Sequence, residues 1–122
     1  MTIIVAVPDS PEGACALSTA AAEAKLLRAD LVAVNLALHH LDVSGLDPDV
    51  EITVVDRVGR SDRDPVDAVL DEIHARNATR LVVGVKRRSA VGKAVLGSIS
   101  QRLLLSAPIP VLAVKVSADE EY

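Results

Sequence analysis

Short, almost unbroken apolar runs recur along this chain and restrict its fold more than any other feature. Thr2 to Val7 reads Thr-Ile-Ile-Val-Ala-Val, Leu31 to Leu36 reads Leu-Val-Ala-Val-Asn-Leu, and Leu81 to Val85 reads Leu-Val-Val-Gly-Val. Val111 to Val116 reads Val-Leu-Ala-Val-Lys-Val. Runs this short, rich in Val and Ile and without polar alternation, suit strands buried on both faces. Ile52 to Val58 is a further strand, less apolar because it contains Asp56 and Arg57.

Helical stretches separate most of these strands. Ser10-Pro11-Glu12 reads as a helix start: a side-chain cap, a proline in the first turn and an acid facing the positive end of the helix. Ala14, Leu17, Ala21, Ala24 and Leu27 follow as one apolar stripe, whose alanines permit close approach to a sheet. Asp64-Pro65 repeats the signal ahead of Val66, Val69, Leu70 and Ile73, with Asn77 as the stop. Ile99, Leu103 and Ala107 mark a last helix, ended by Pro108. Residues 37–50 are irregular, with room for one helical turn at most. Strand and helix in alternation define an α/β fold with a parallel sheet and helices on both faces. Right-handed crossovers limit its strand orders, and ligands sit at the carboxyl ends of such strands.

The chain has 122 residues, half of them apolar, which suits one domain over 1–122 with a single core. A net charge of −4 and a single aromatic residue, Tyr122, argue against a nucleic-acid partner. No apolar run is long enough for a membrane span, and the N-terminus lacks a basic leader. Cys15 is the lone cysteine and cannot form an internal disulfide, so the cytoplasm is the expected compartment.

Against this acidic background, the stretch after Val85 carries Lys86, Arg87, Arg88 and Lys93 and ends at Gly97-Ser98, ahead of a helix. Glycines, cations and a helix start together describe an anion or phosphate site. A solvated basic loop is the plainer reading of the same residues. Gly92-Lys93-Ala94 is not a P-loop: glycine is missing at Arg87 and a hydroxyl at Ala94. Ser98 is no nucleophile elbow, since Ser100 stands where glycine is required; its expected roles are to cap the helix and to donate to phosphate. His39, His40 and Asp42 make a poor metal set, because adjacent histidines in a loop point apart. Cys15 reads as a small core residue more readily than as a redox group.

Gly84, Arg87 and Gly97-Ser98 keep the spacing of a nucleotide signature: glycine, two residues, glycine, nine residues, glycine with serine or threonine. The chain thereby resembles the universal stress proteins, and Val5 to Ser10 and Pro108 to Val114 resemble that family's opening and closing strands. The resemblance implies a Rossmann-like three-layer sandwich with a five-stranded parallel sheet in the order 3-2-1-4-5. It implies adenine near the ends of strands one and two, phosphates of ATP or AMP on the Gly84–Ser100 loop, magnesium with ATP, and a homodimer through Val111–Val116. On this reading Pro8, Asp9 and Ser10 border base and ribose. Gly84, Gly97, Ser98 and Ser100 hold phosphates, with Arg87, Arg88 and Lys93 as countercharges.

Three features depart from the family pattern. Arg87 replaces a glycine and either fills the phosphate space or adds a bidentate contact. Pro8-Asp9 shifts the usual acid by one place. The second crossover helix is reduced or missing, leaving that sheet face open or for a partner subunit to cover. The implied function is a nucleotide-binding regulatory or stress-response protein. It is not a fast enzyme, since no general base or activated nucleophile is evident. The alternative is a dimeric interaction module whose basic loop binds an anion without nucleotide.

Overall fold

In the computed structural model, which describes residues 1–56, 64–87, 94–95 and 97–116, each apolar run forms a strand. In chain order the elements are β1 (Thr2–Val7), α1 (Pro11–Leu27), β2 (Asp30–Asn35), β3 (Ile52–Asp56), α2 (Pro65–Ala75) and β4 (Arg80–Arg87). They continue with β5 (Ala94–Val95), α3 (Ser98–Ser106) and β6 (Val111–Lys115). β3, β2, β1, β4 and β6 lie side by side in that order, every pair parallel. This is the expected five-stranded order, with β6 as its fifth member. The two-residue β5 adds an antiparallel patch, Lys86 opposite Val95 and Arg87 opposite Ala94.

Alternate residues of the strands divide between two cores. Ile3, Val5, Val7, Leu31, Ala33 and Val82 face α1, whose buried stripe is Gly13, Ala16, Leu17, Ala20, Ala21 and Ala24. Ala14, expected in that stripe, is exposed. The small side chains let the helix backbone lie close to the strands. Ile4, Ala6, Val32, Val34, Leu81 and Val83 face the other way, against Val66, Val69 and Ile73 of α2 and Leu103 of α3.

The helix caps follow the sequence signals at α1 and α2. Ser10 accepts from the Gly13 amide at 3.1 Å, and Asp64 from the Val66 amide at 2.8 Å. Each helix begins with its proline, Pro11 or Pro65. Asn77, just past α2, takes the left-handed conformation with φ 51° that asparagine tolerates.

The second crossover contains no helix. Residues 36–51 run as turns and irregular chain. The face this leaves is not open: Leu41, Val43 and Leu46 pack against the α1-side core, and Val50 is buried within it. The connection thus covers the sheet with its own side chains, without need of a partner subunit.

Candidate functional site

The carboxyl ends of β1 and β4 meet at the first turn of α1. Gly84 lies against the backbone of Glu12. A Cβ at Gly84 would overlap the Glu12 carbonyl oxygen and stand 2.7 Å from its carbon. Gly13 is just as constrained, since a Cβ there would meet the Pro8 carbonyl oxygen. Two glycines, one on β4 and one on α1, therefore allow strand, turn and helix to crowd together. The same Pro8 oxygen accepts the Ser10 amide at 2.9 Å. Gly84 is tied on its other side too, its carbonyl accepting the Ser100 hydroxyl at 3.0 Å. Residues 8–11 and the end of β4 accordingly share one end of the sheet.

Asn35 organises the neighbouring wall. It closes β2 and is only 1% exposed. Buried amides require partners, and Asn35 has them in three directions. Its Nδ2 donates to the His39 carbonyl at 2.8 Å and to Asp56 Oδ1 at 2.9 Å, and its Oδ1 accepts the Ala37 amide at 3.0 Å. One side chain thereby fixes the turn after β2 and links it to the last residue of β3.

Between the turn after β1 and this second loop lies a cavity of about 370 Å³. Pro8, Asp9 and Ser10 form one wall, Leu17 and Ser18 of α1 the floor, and Asn35, Ala37, Leu41 and Leu46 the other side. Apolar surface dominates, with Ser18 and Asn35 as polar groups of the lining and Asp9, His39 and Asp42 at the rim, as in small-molecule sites generally. His39 bridges that rim. Its Nε2 stands 3.1 Å from Asp9 Oδ2, and its Nδ1 is 3.1 Å from the His40 carbonyl. The His40 carbonyl, and next the Asp9 carboxylate, raise the His39 pKa above the ordinary imidazole value. Asp42, also on the rim, accepts the Ser44 amide at 2.9 Å, and its hydrogen bonds to Ser44 lower its pKa.

Sequence-expected site residues thus separate in the structure. Pro8, Asp9 and Ser10 line the cavity. Gly84 and Ser100 are bonded to one another beside it, in roles that close packing and strand-to-helix tethering explain. Gly97 is the N-cap of α3, and no side chain caps that helix, so Ser98, its first residue, does not have the expected capping role. Arg87 ends β4. Its side chain lies outside the described residues, as do Arg88 and Lys93. Asn35 and His39 were not among the expected contacts. The signal for Asn35 was present: a lone amide at the end of the four-residue apolar stretch Leu31–Val34 must be satisfied somewhere. No His, Cys, Asp or Glu cluster suited to a metal exists among the described residues. No helix among them is long and apolar enough to cross a membrane.

A doubly wound parallel sheet with a cavity at the strand carboxyl ends, beside the reversal of strand order, defines a Rossmann-like α/β protein. The sequence pattern of the universal stress protein family matches residues 45–115. The chain is also 36% identical, over 93% of its length and 96% of the relative's, to a universal stress protein of Mycolicibacterium smegmatis. Among solved structures, it superposes on a universal stress protein from Archaeoglobus fulgidus with a TM-score of 0.70 at 26% identity, covering 94% of this chain and 98% of that one. A structure of an A. fulgidus universal stress protein in complex with dAMP gives 0.66 at 23% identity, with the same coverage. A universal stress protein in complex with cAMP gives 0.63 at 22%, covering 93% and 95%. The chain belongs to the universal stress protein family.

Proposed function

We propose that this protein binds an adenine nucleotide, with base and ribose in the cavity between Asp9 and Asn35 and the phosphates toward the Gly84–Ser100 segment. The observation that carries the reading is the cavity itself. It lies beyond the paired ends of β1 and β2, and its lining is mostly apolar with Asp9 and His39 exposed at its rim. A mostly apolar lining suits a purine ring, and the Asp9 carboxylate suits ribose hydroxyls. The dAMP and cAMP complexes of structurally similar proteins support a nucleotide of this class.

ATP and AMP are both candidates, ATP with magnesium. Pro8, Asp9 and Ser10 border base and ribose. Gly84 permits close backbone approach, Gly97, Ser98 and Ser100 contribute main-chain amides and Ser98 its hydroxyl, the Ser100 hydroxyl being bonded to Gly84, and Arg87, Arg88 and Lys93 supply countercharge. The protein works as a regulatory or stress-response binder in the cytoplasm rather than as a fast enzyme. It dimerises through β6, which pairs only with β4 among the described strands. An open strand edge is otherwise a liability, and Lys115 is the sole charge on this one.

Titration calorimetry with AMP and with ATP tests the reading. Saturable heat is expected for both. No heat and no thermal shift at about millimolar ligand would overturn it in favour of a dimeric interaction module with a basic anion-binding loop. Arg87, standing where the family signature has glycine, is the feature that favours that second reading.

A further inference from the structure

The two ring nitrogens of His39 face two acceptors. The His40 carbonyl lies 3.1 Å from Nδ1 and the Asp9 carboxylate 3.1 Å from Nε2. A carbonyl and a carboxylate can only accept, so each nitrogen must carry a proton for both contacts to be hydrogen bonds. Neutral imidazole has one N–H and can keep only one of them. The arrangement therefore selects the imidazolium.

The main chain that carries the ring is also held in place. The His39 carbonyl receives the buried Asn35 amide, which in turn is bonded to Asp56. His39 is thus fixed to the ends of β2 and β3, while Asp9 belongs to the turn that starts α1. Their contact spans the rim of the cavity from one wall to the other. The titratable groups around the ring are Asp9 from the first turn, His40 and Asp42 from its own connection, and Asp56 at the end of β3. Asp42 is turned to the Ser44 amide and Asp56 to Asn35, which leaves Asp9 as the carboxylate bonded to the ring among the described residues.

We infer that protonated His39 is a clasp across the nucleotide cavity, and that it competes with the ligand for the Asp9 carboxylate. This inference rests on the nucleotide reading above. His39 holds only the Oδ2 oxygen of Asp9, and a ribose diol whose two hydroxyls take both carboxylate oxygens, Oδ2 included, displaces the imidazolium. Displacement lowers the proton affinity of His39, so binding releases a proton and strengthens as pH rises through the His39 midpoint. The clasp is present at low pH and lost as pH rises, the sign expected for a histidine whose folded-state pKa is raised.

Adenosine is the suitable probe, because it lacks the phosphate that titrates near pH 6. Two measurements separate the clasp from the nucleotide reading. In unliganded protein, proton NMR follows the His39 ring against pH, and Asp9→Asn is expected to lower its midpoint. An unchanged midpoint overturns the clasp. Calorimetry with adenosine between about pH 5.5 and 8, in buffers of different ionisation enthalpy, then reads the coupling. Wild type is expected to gain about two- to fivefold in affinity and to release a proton on binding, the size an exposed ion pair supports. His39→Gln is expected to bind with a flat pH profile. Equal affinity at every pH in wild type, or affinity that rises toward acid, overturns the coupling and leaves the nucleotide reading intact. Absence of adenosine binding at every pH overturns the coupling, and absence of AMP and ATP binding as well overturns the nucleotide reading.

Discussion

Gly84 on β4 and Glu12 on α1 approach so closely that no side chain fits between their backbones. The contact fixes where α1 begins relative to β4, and so where residues 8–11 sit. A glycine that the signature spacing assigns to phosphate binding is thereby also a packing residue. Gly84→Ala inserts a methyl group into main-chain atoms, which cannot swing aside as a flexible side chain would. We expect destabilisation of about 1–3 kcal/mol, read from urea denaturation, as for other overpacked sites. A variant as stable as wild type would show that the contact relaxes freely.

Asn35 is satisfied by three hydrogen bonds at 1% exposure. Asn35→Ala leaves the Ala37 amide without its side-chain acceptor and frees Asp56. The expected loss is about 1–3 kcal/mol, with faster amide exchange over residues 37–42. Asn35→Asp should be worse near neutral pH, because it sets a buried carboxyl beside Asp56. The introduced group has a folded-state pKa above its unfolded value. The variant is therefore most stable in acid and weakens as pH rises through that folded value. A matched pair of denaturation series at acid and neutral pH checks the sign.

Asp64 caps α2 and pairs with Arg102 of α3 at 2.7 Å. The Arg102 guanidinium, and after it the Val66 amide, lower the Asp64 pKa. A depressed folded-state pKa gives stability that is present above the unfolded value and lost as pH falls through the folded one. Asp64→Asn keeps a capping oxygen but not the charge. It should melt below wild type at neutral pH, and the gap should close in acid. A gap that widened in acid would contradict the assignment.

Leu103 is fully buried, and it is the one residue of α3 described as such. It plugs the α2-side core beneath β4. Leu103→Ala should cost about 2–5 kcal/mol in denaturant titrations. Leu105→Ala, two positions on and 78% exposed, should cost little.

Arg87 decides between the two functional readings. If its guanidinium serves as a phosphate contact, Arg87→Gly weakens ATP binding by about tenfold and AMP binding less. A tighter ATP complex in the variant would instead favour the anion-module reading. Calorimetry with both nucleotides distinguishes these results.

Most of the architecture was legible in the sequence because its signals are local. Unbroken apolar runs such as Ile3–Val7 carry their own secondary structure, and Ser10-Pro11 and Asp64-Pro65 announce helix starts within two residues. The limits were non-local. Strand β4 extends to Arg87 rather than Val85 because Lys86 and Arg87 find β5 as a partner, a pairing that residues 86–87 alone do not announce. Ala14 seemed part of the buried stripe, but the close approach at Gly13 and Gly84 rotates that stripe toward Gly13 and Ala16. The rim was the least legible part. Asp9 and His39 lie 30 positions apart, and only the parallel pairing of β1 with β2, Val7 beside Asn35, brings them together. Ser98 looked like a cap because serine favours that position, yet Gly97 occupies it.

The helix-free connection from Leu36 to Glu51 has an evolutionary corollary. It forms one side of the cavity, yet between its ends it lies outside the strands, held by the Asn35 amide, by local turns and by the packing of Leu41, Val43, Leu46 and Val50. Substitutions or length changes at its tip, around Ser44 and Gly45, can alter which molecules are accepted while the strands beneath keep their register. Ligand preference at the proposed site can therefore drift at small cost to folding.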